Sequence, residues 1–467
     1  MFPVRVFHSF FMGQSPCKIV VTGLGLVSPV GLQTERLWTS LVEGQSGVRP
    51  FHFQKPGDSP LSYVAGCTDF TGDIEQFGDL DATKKKTVKK ATKLMSREIQ
   101  MGVAAALRSL NDAGVESSSA HGLMPNRVGV SFGCDLIYSS VNDLLDGIKK
   151  CVSDSSSEQA DFDFTRWAGE GLPKMSPLWQ LKYLSNMPSS HIAIINDFRG
   201  TNNSILLREA SIGAVVGEAV ESLRAGKVDL YVVGATGSRI HPIKMLQTLR
   251  QEEVARFSGG QNPATIAKPY DANRCGMVLG EGAGALVLET EQSAEKRNAK
   301  IYAEILAGAS VATPLKPSYQ MLATNALEET LTRLMRRLLK SLPGEDAEKL
   351  ESFGHINANG NGTTWGDLAE SRAIANVFAS RISPIPVTTV KGHFGNLGAG
   401  SGAIELIAGI LAMQKHQLFP VLNCAEVDSK CPIRPVIAGE TVPSGNSFLK
   451  IAYNSQGQAS AVWVKKI

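Results

Sequence analysis

Gly200-Thr-Asn-Asn-Ser-Ile-Leu-Leu-Arg-Glu-Ala-Ser-Ile-Gly213 runs on through Ala214-Val-Val-Gly-Glu-Ala-Val-Glu-Ser-Leu-Arg-Ala-Gly226 into Lys227-Val-Asp-Leu-Tyr-Val-Val-Gly-Ala235. The first part reads as a β-rich segment that turns at Arg208-Glu209 into a helix. Ile212, Val215, Val216, Ala219, Val220 and Leu223 then recur at helical spacing, the mark of a broad buried face. Gly226 ends that helix before a second strand. A strand that turns sharply into a buried helix is a seat for a nucleophile. The free N–H groups and the positive end of the helix dipole lower a thiol's pKa and steady an oxyanion. The residue in that seat is Glu209.

Outward from this stretch, 467 residues can bury two core-sized units or one large double domain. With 43% hydrophobic and 19% charged residues and 45 glycines, the composition is that of a glycine-rich α/β protein. A formal net charge of +3 leaves any charge-driven partner to a local patch and argues against a dedicated nucleic-acid binder. Seven scattered cysteines with no CxxC pair point to reduced thiols, with neither a disulfide framework nor a zinc site, and so to a cytoplasmic protein. No metal and no cofactor is expected. No apolar run reaches membrane-span length. Residues 1–17 read as a disordered extension, with Met12 as a candidate start and a targeting segment as the alternative.

Lys18-Ile-Val-Val-Thr-Gly-Leu-Gly25 is a buried strand leading to the turn Ser28-Pro-Val-Gly31. Its glycines are wrongly spaced for a dinucleotide fingerprint, and Pro29 interrupts them. Lys84, Lys85, Lys86, Lys89, Lys90 and Lys93 crowd the start of a helix expected to continue through Met95 to Ala113. Such a run is either a solvated face or a docking patch for an acidic partner. Residues 139–177 read as a mobile insertion or a partner-contacting loop. A second half begins near Lys300, with a helix over Ala326 to Lys340 and strands over Pro386 to Lys391, Ser447 to Tyr453 and Ala459 to Val464. Two alternating halves suggest a duplicated α/β unit, divided as 18–290 and 291–467.

Several motifs carry a family likeness. They are Val20-Val-Thr-Gly-Leu-Gly25, Gly44-Gln-Ser-Gly47, Pro269-Tyr-Asp271 with Arg274, Gly280-Glu-Gly-Ala-Gly-Ala-Leu-Val-Leu-Glu289, Asn357-Ala358 with Asp367 and Glu370, and Lys391 with Gly402-Ala-Ile-Glu405. In this order they make the chain similar, from Lys18 to Ile467, to the β-ketoacyl-acyl carrier protein synthases of ketosynthase II type. These belong to the thiolase superfamily. The resemblance implies a five-layered αβαβα thiolase fold built from two duplicated halves, usually dimeric, and an acyl carrier protein as partner. It implies carrier docking at Lys89, Lys90 and Lys93.

The departures fall on the family's chemistry. The position of the family's acyl-carrying cysteine is Glu209, and those of its two histidines are Asn359 and Asn396. Lys391, Asp367 and Glu370 are retained as in the family, and the gating loop becomes Tyr453-Asn-Ser-Gln-Gly-Gln458. His393 lies three residues from register and is expected to be a surface or packing residue. Cys275, where the family has an aspartate, is expected to pack. A carboxylate is a far poorer acyl carrier than a thiolate, and asparagine has no proton to exchange near neutral pH. The expectation is a non-condensing subunit like a chain-length factor, paired with an active ketosynthase or otherwise a homodimer. The alternatives are an acyltransferase or thioester hydrolase using Glu209, or an atypical synthase with an unrecognised nucleophile.

Overall fold

The structure is a computed structural model and describes residues 17–51, 63–115, 123–138, 140, 142–152, 161–258, 260–314, 320–341 and 346–467. The expected extension, apart from Cys17, lies outside the described residues, as do 153–160 of the expected insertion.

Ten strands form the frame. The first half supplies β1 (Ile19–Val27), β2 (Val128–Gly133), β3 (Asn202–Ile205), β4 (Leu230–Ser238) and β5 (Leu279–Thr290). The second supplies β6 (Ala303–Ala312), β7 (His355–Asn357), β8 (Pro386–Thr388), β9 (Ser447–Tyr453) and β10 (Gln458–Lys465). Six helices matter here: α1 (Ala82–Ala91), α2 (Arg97–Asp112), α3 (Ser211–Arg224), α4 (Gln320–Lys340), α5 (Thr364–Val377) and α6 (Ala399–Gln414).

Strand order in the first half is β3-β2-β4-β5-β1, with β2 parallel to β3 and β4 and the other two pairings antiparallel. The second half repeats it as β8-β7-β9-β10-β6, parallel and antiparallel at the same places. The halves are thus topological copies, and a short β1–β6 pairing joins their sheets. Helix α2 covers the outer face of the first sheet and α4 that of the second, with α5 against α4. Helices α3 and α6 lie between the sheets and touch both, as well as each other. This is the αβαβα layering of the thiolase fold.

The apolar periodicity of the central stretch explains its place in the middle layer. Ile212, Val215, Val216, Ala219, Val220 and Leu223 are all buried in one core cluster with the apolar face of α6. Gly23 and Gly25 serve helix packing: a Cβ there would lie 2.2 Å from the Ser109 carbonyl and 2.1 Å from that of Ala105, both on α2.

Four expectations are corrected. The lysine-rich segment and the following apolar segment are two helices, α1 and α2, separated by a 3-10 turn and extended Met95. Helix α4 starts at Gln320, six residues before the expected Ala326. The 139–177 stretch is not a plain loop, since it contains a helix over Asn142–Cys151 and short helical turns between Phe164 and Lys174. Cys275 is exposed, so it does not pack in the core.

Candidate functional site

The duplicated topology decides which side chains meet. Helix α3 connects β3 to β4, and α6 connects β8 to β9, so their N-termini are equivalent points of the two halves. Glu209 lies in the 3-10 turn Arg208–Ala210 just before α3. Asn396 lies in the turn just before α6. The two side chains meet, with Asn396 Nδ2 donating to Glu209 Oε1 at 2.9 Å. The Asn396 carbonyl oxygen accepts from Gly398 N at 2.9 Å and Ser401 Oγ at 3.3 Å, which fixes the amide orientation.

Glu209 is sealed by a partner that sequence reasoning missed. Arg239, directly after β4, is buried and pairs through Nη2 with Glu209 Oε1. Its other nitrogen, Nη1, pairs with Glu252 Oε1 at 3.0 Å. Arg208 Nη2 contacts the same Glu252 oxygen at 3.0 Å, and Arg208 Nε lies 3.3 Å from Asp135 Oδ2. Two arginines and three carboxylates thus fill the space around the seat. Burial raises the Glu209 pKa, but the Arg239 and Arg208 charges outweigh it and hold the carboxyl below the usual carboxylate range. Burial lowers the Arg239 pKa, yet Glu209 and Glu252 drive it further above its ordinary value. Arg208 has φ +52, a left-handed conformation that a non-glycine residue adopts at a cost of about 1–3 kcal/mol, offset by its ion pairs. The available signal for Arg239 was a lone arginine at the end of a strand, Leu230–Ser238, that carries no charged residue.

Asn359 and Lys391 form a second pair. Lys391 Nζ donates to the Asn359 backbone oxygen at 2.8 Å and to its Oδ1 at 2.9 Å. Lys391 also contacts Glu405 Oε1 at 2.5 Å, whose second oxygen takes Lys450 Nζ at 2.7 Å. All three of these charged residues are buried. Glu370 accepts from the backbone N–H of Asn359 and Gly360 at 2.8 and 2.9 Å and from the Tyr270 hydroxyl at 2.7 Å. Asp367 accepts from Tyr270 N at 2.9 Å and Gly362 N at 3.1 Å. These two carboxylates tie down the glycine-rich loop that carries Asn359. Burial pushes Asp367 up to about 7 and raises Glu370 as well. Among the described residues no hydrogen bond joins Glu209–Asn396 to Asn359–Lys391.

His393 does not enter the site. Its buried ring meets the Gln45 carbonyl at 3.0 Å and lies edge-on to Phe419, and burial lowers its pKa to about 4. Cys134 follows β2 and is buried, with its pKa pushed up to about 12, so it is an inert thiol. Lys89, Lys90 and Lys93 are exposed on α1 and the turn after it. Among the described residues no group of three His, Cys, Asp or Glu is placed to hold a metal, and no helix is long and apolar enough to cross a membrane.

The geometry can therefore donate hydrogen bonds at two helix N-termini but presents no thiol there. Comparison with known proteins places the arrangement. Residues 17–294 match the β-ketoacyl synthase N-terminal domain, and residues 305–425 match the C-terminal domain. The chain belongs to the β-ketoacyl synthase family. A Schizosaccharomyces pombe protein provisionally named a mitochondrial 3-oxoacyl-[acyl-carrier-protein] synthase is 30% identical over 443 residues, 92% of this chain and 96% of that protein. The ishigamide ketosynthase/chain length factor structure aligns with a TM-score of 0.76 at 22% identity, covering 97% of this chain and all of that one. A chain from the structure of a type II polyketide acyl-carrier protein in complex with its hexaketide-bound ketosynthase aligns with a TM-score of 0.75 at 21% identity, covering 97% of this chain and 100% of that one. As a β-ketoacyl synthase family member, the chain keeps the frame of a ketosynthase of fatty-acid or polyketide synthesis.

Proposed function

We propose that this β-ketoacyl synthase homologue is a non-condensing, chain-length-factor-like subunit that binds acyl carrier protein and acyl chain beside an active ketosynthase. One observation carries the reading: Glu209 is buried and paired with Arg239 and Asn396, where acyl transfer needs a free thiolate. A carboxylate held in that state is a weak base, and an acyl group on it would be a readily hydrolysed mixed anhydride. Asn359 and Asn396 keep hydrogen-bond donors and have lost proton transfer. The test is intact-mass measurement after incubation with acyl- and malonyl-carrier protein. No covalent adduct and no decarboxylation by the chain alone are expected; an acyl adduct on any residue would sink the proposal.

A partner subunit needs a place to dock. Strand β3 is the edge of the first sheet, with Asn202 and Asn203 exposed, and Leu206 and Ile194 lie exposed nearby. An open strand edge with apolar neighbours suits pairing with a second ketosynthase-like chain, either the active subunit or a copy of this one. The carrier is proposed to dock at Lys89, Lys90 and Lys93.

A competing reading, thioester hydrolysis or acyl transfer through Glu209, has one observation in its favour: among the described residues Glu209 Oε2 has no hydrogen-bond partner. It predicts turnover of acyl thioesters by the chain alone, abolished in Glu209→Gln. The third reading, an atypical 3-oxoacyl-ACP synthase, predicts condensation despite the missing cysteine. Seven free cysteines fit a reducing compartment, and we propose the cytoplasm. Imaging of the full-length tagged chain in mitochondria would overturn that placement.

A further inference from the structure

Glu209 lies two residues before the first residue of helix α3, and Arg224 is its last. At about 1.5 Å rise per residue its two ends are about 20 Å apart. At the Arg224 end lies a cavity of about 580 Å³, walled by residues from both halves: Lys18, Glu304, Lys349, Trp463 and Lys465 among them. Ligand pockets for small organic molecules typically span about 300–1,000 Å³.

The lining has two kinds of surface. Trp463 and Leu306 give an apolar wall, and the Trp463 ring is held by stacking on Phe353 at 4.3 Å between centroids. Around it stand four cationic side chains, Lys18, Arg224, Lys349 and Lys465, against one carboxylate, Glu304, with the buried Lys349 Nζ donating to the Leu339 carbonyl at 2.8 Å. Lys18 is paired with Glu291 at 2.9 Å, and Arg224 Nη2 donates to the Leu306 carbonyl at 3.1 Å. Lys465 is exposed and makes no ion pair among the described residues. A chain whose formal net charge is only +3 has thus gathered a local excess of positive charge beside an apolar wall.

We infer that this cavity binds a small organic anion: a carboxylate or phosphate head held by Lys465 and Arg224, with an apolar body against Trp463 and Leu306. The site is separate from the Glu209 seat and does not depend on whether the chain condenses. A bare inorganic anion leaves the apolar wall unused, and a neutral lipid leaves Lys465 without a counter-charge.

The test uses the full chain with decanoate as probe, decanol as its uncharged counterpart, and decyl phosphate to compare head groups. Calorimetry is expected to show saturable one-to-one binding of decanoate or decyl phosphate that weakens with salt. Decanol should bind at least about tenfold more weakly, and Lys465→Glu, a surface change that spares the fold, should weaken the anions about tenfold or more. Ligand-induced tryptophan fluorescence change should vanish in Trp463→Phe while calorimetric binding persists. The inference is overturned if neither anion binds saturably, if decanol binds equally well, if Lys465→Glu leaves affinity unchanged, or if the fluorescence change survives in Trp463→Phe.

Discussion

Glu209 and Arg239 stand or fall together. Each is a charge taken out of water, and removing one partner of such a pair leaves the other uncompensated, at about 3–5 kcal/mol. Arg239→Leu is therefore expected to lower stability by that amount, measured by denaturant unfolding. The double change Glu209→Gln with Arg239→Leu should recover much of the loss, because it leaves no uncompensated carboxylate at position 209. A double variant no better than the single one would show that the two do not act as a unit. The pH response follows from the depressed Glu209 carboxyl. Its contribution is present above the ordinary carboxylate value of about 4.3 and is lost as pH falls below it. Asp367 has the opposite sign. Burial raises it to about 7, so between about pH 4 and 7 the folded state holds that proton more tightly than the unfolded one. Lowering the pH through this window should stabilise the native protein by up to about 1.4 kcal/mol per unit from this group. Thermal unfolding of Asp367→Asn between pH 4.5 and 7 should lack that gain; an unchanged difference from the parent across the window would count against it.

Elements were legible where one face of a regular period is buried. Helix α3 was readable to within a residue because its apolar spacing and the terminating Gly226 agree. The break between α1 and α2 was not readable, because Thr92-Lys-Leu-Met-Ser96 contains neither glycine nor proline. The reason for the break lies in packing: α1 buries Val88 alone and stays at the surface, whereas α2 buries a full face under the first sheet. Asp81 caps α1 by accepting from Lys84 N, so the helix stands despite the lysines near its positive end. Lys89 and Lys90 lie in the last turn of α1 and, with Lys93, form an exposed cationic cluster that an acidic partner would complement. Charge reversal at Lys89, Lys90 and Lys93 together is expected to weaken binding of acyl carrier protein by at least about tenfold and to flatten its salt dependence. Surface plasmon resonance at two ionic strengths reads both; an unaltered affinity would move the docking site elsewhere.

At the scale of the whole molecule, the duplicated architecture was visible in the alternation of strands and helices, and the family motifs supplied its register. The site was legible only in part. The positions of Glu209, Asn359 and Asn396 follow from motifs, but Arg239 and Glu252 are distant in sequence, and only folding shows that they close over the seat. Lys450 is similar: it sits in an apolar strand, and its role emerges only when Glu405 is seen between it and Lys391. On the proposed reading, a seat filled from within by charged side chains leaves the acyl chemistry to another chain, which the open β3 edge would receive. Co-expression with a ketosynthase that retains the cysteine and both histidines should therefore yield a one-to-one complex. Substituting Asn202 with proline should weaken that complex, because proline lacks an N–H and the Asn202 N–H points away from β2 toward the open edge. Analytical ultracentrifugation of the purified mixture reads the outcome. A stable homodimer that exchanges with no ketosynthase would favour a self-contained role and remove the main support for the partner-subunit reading.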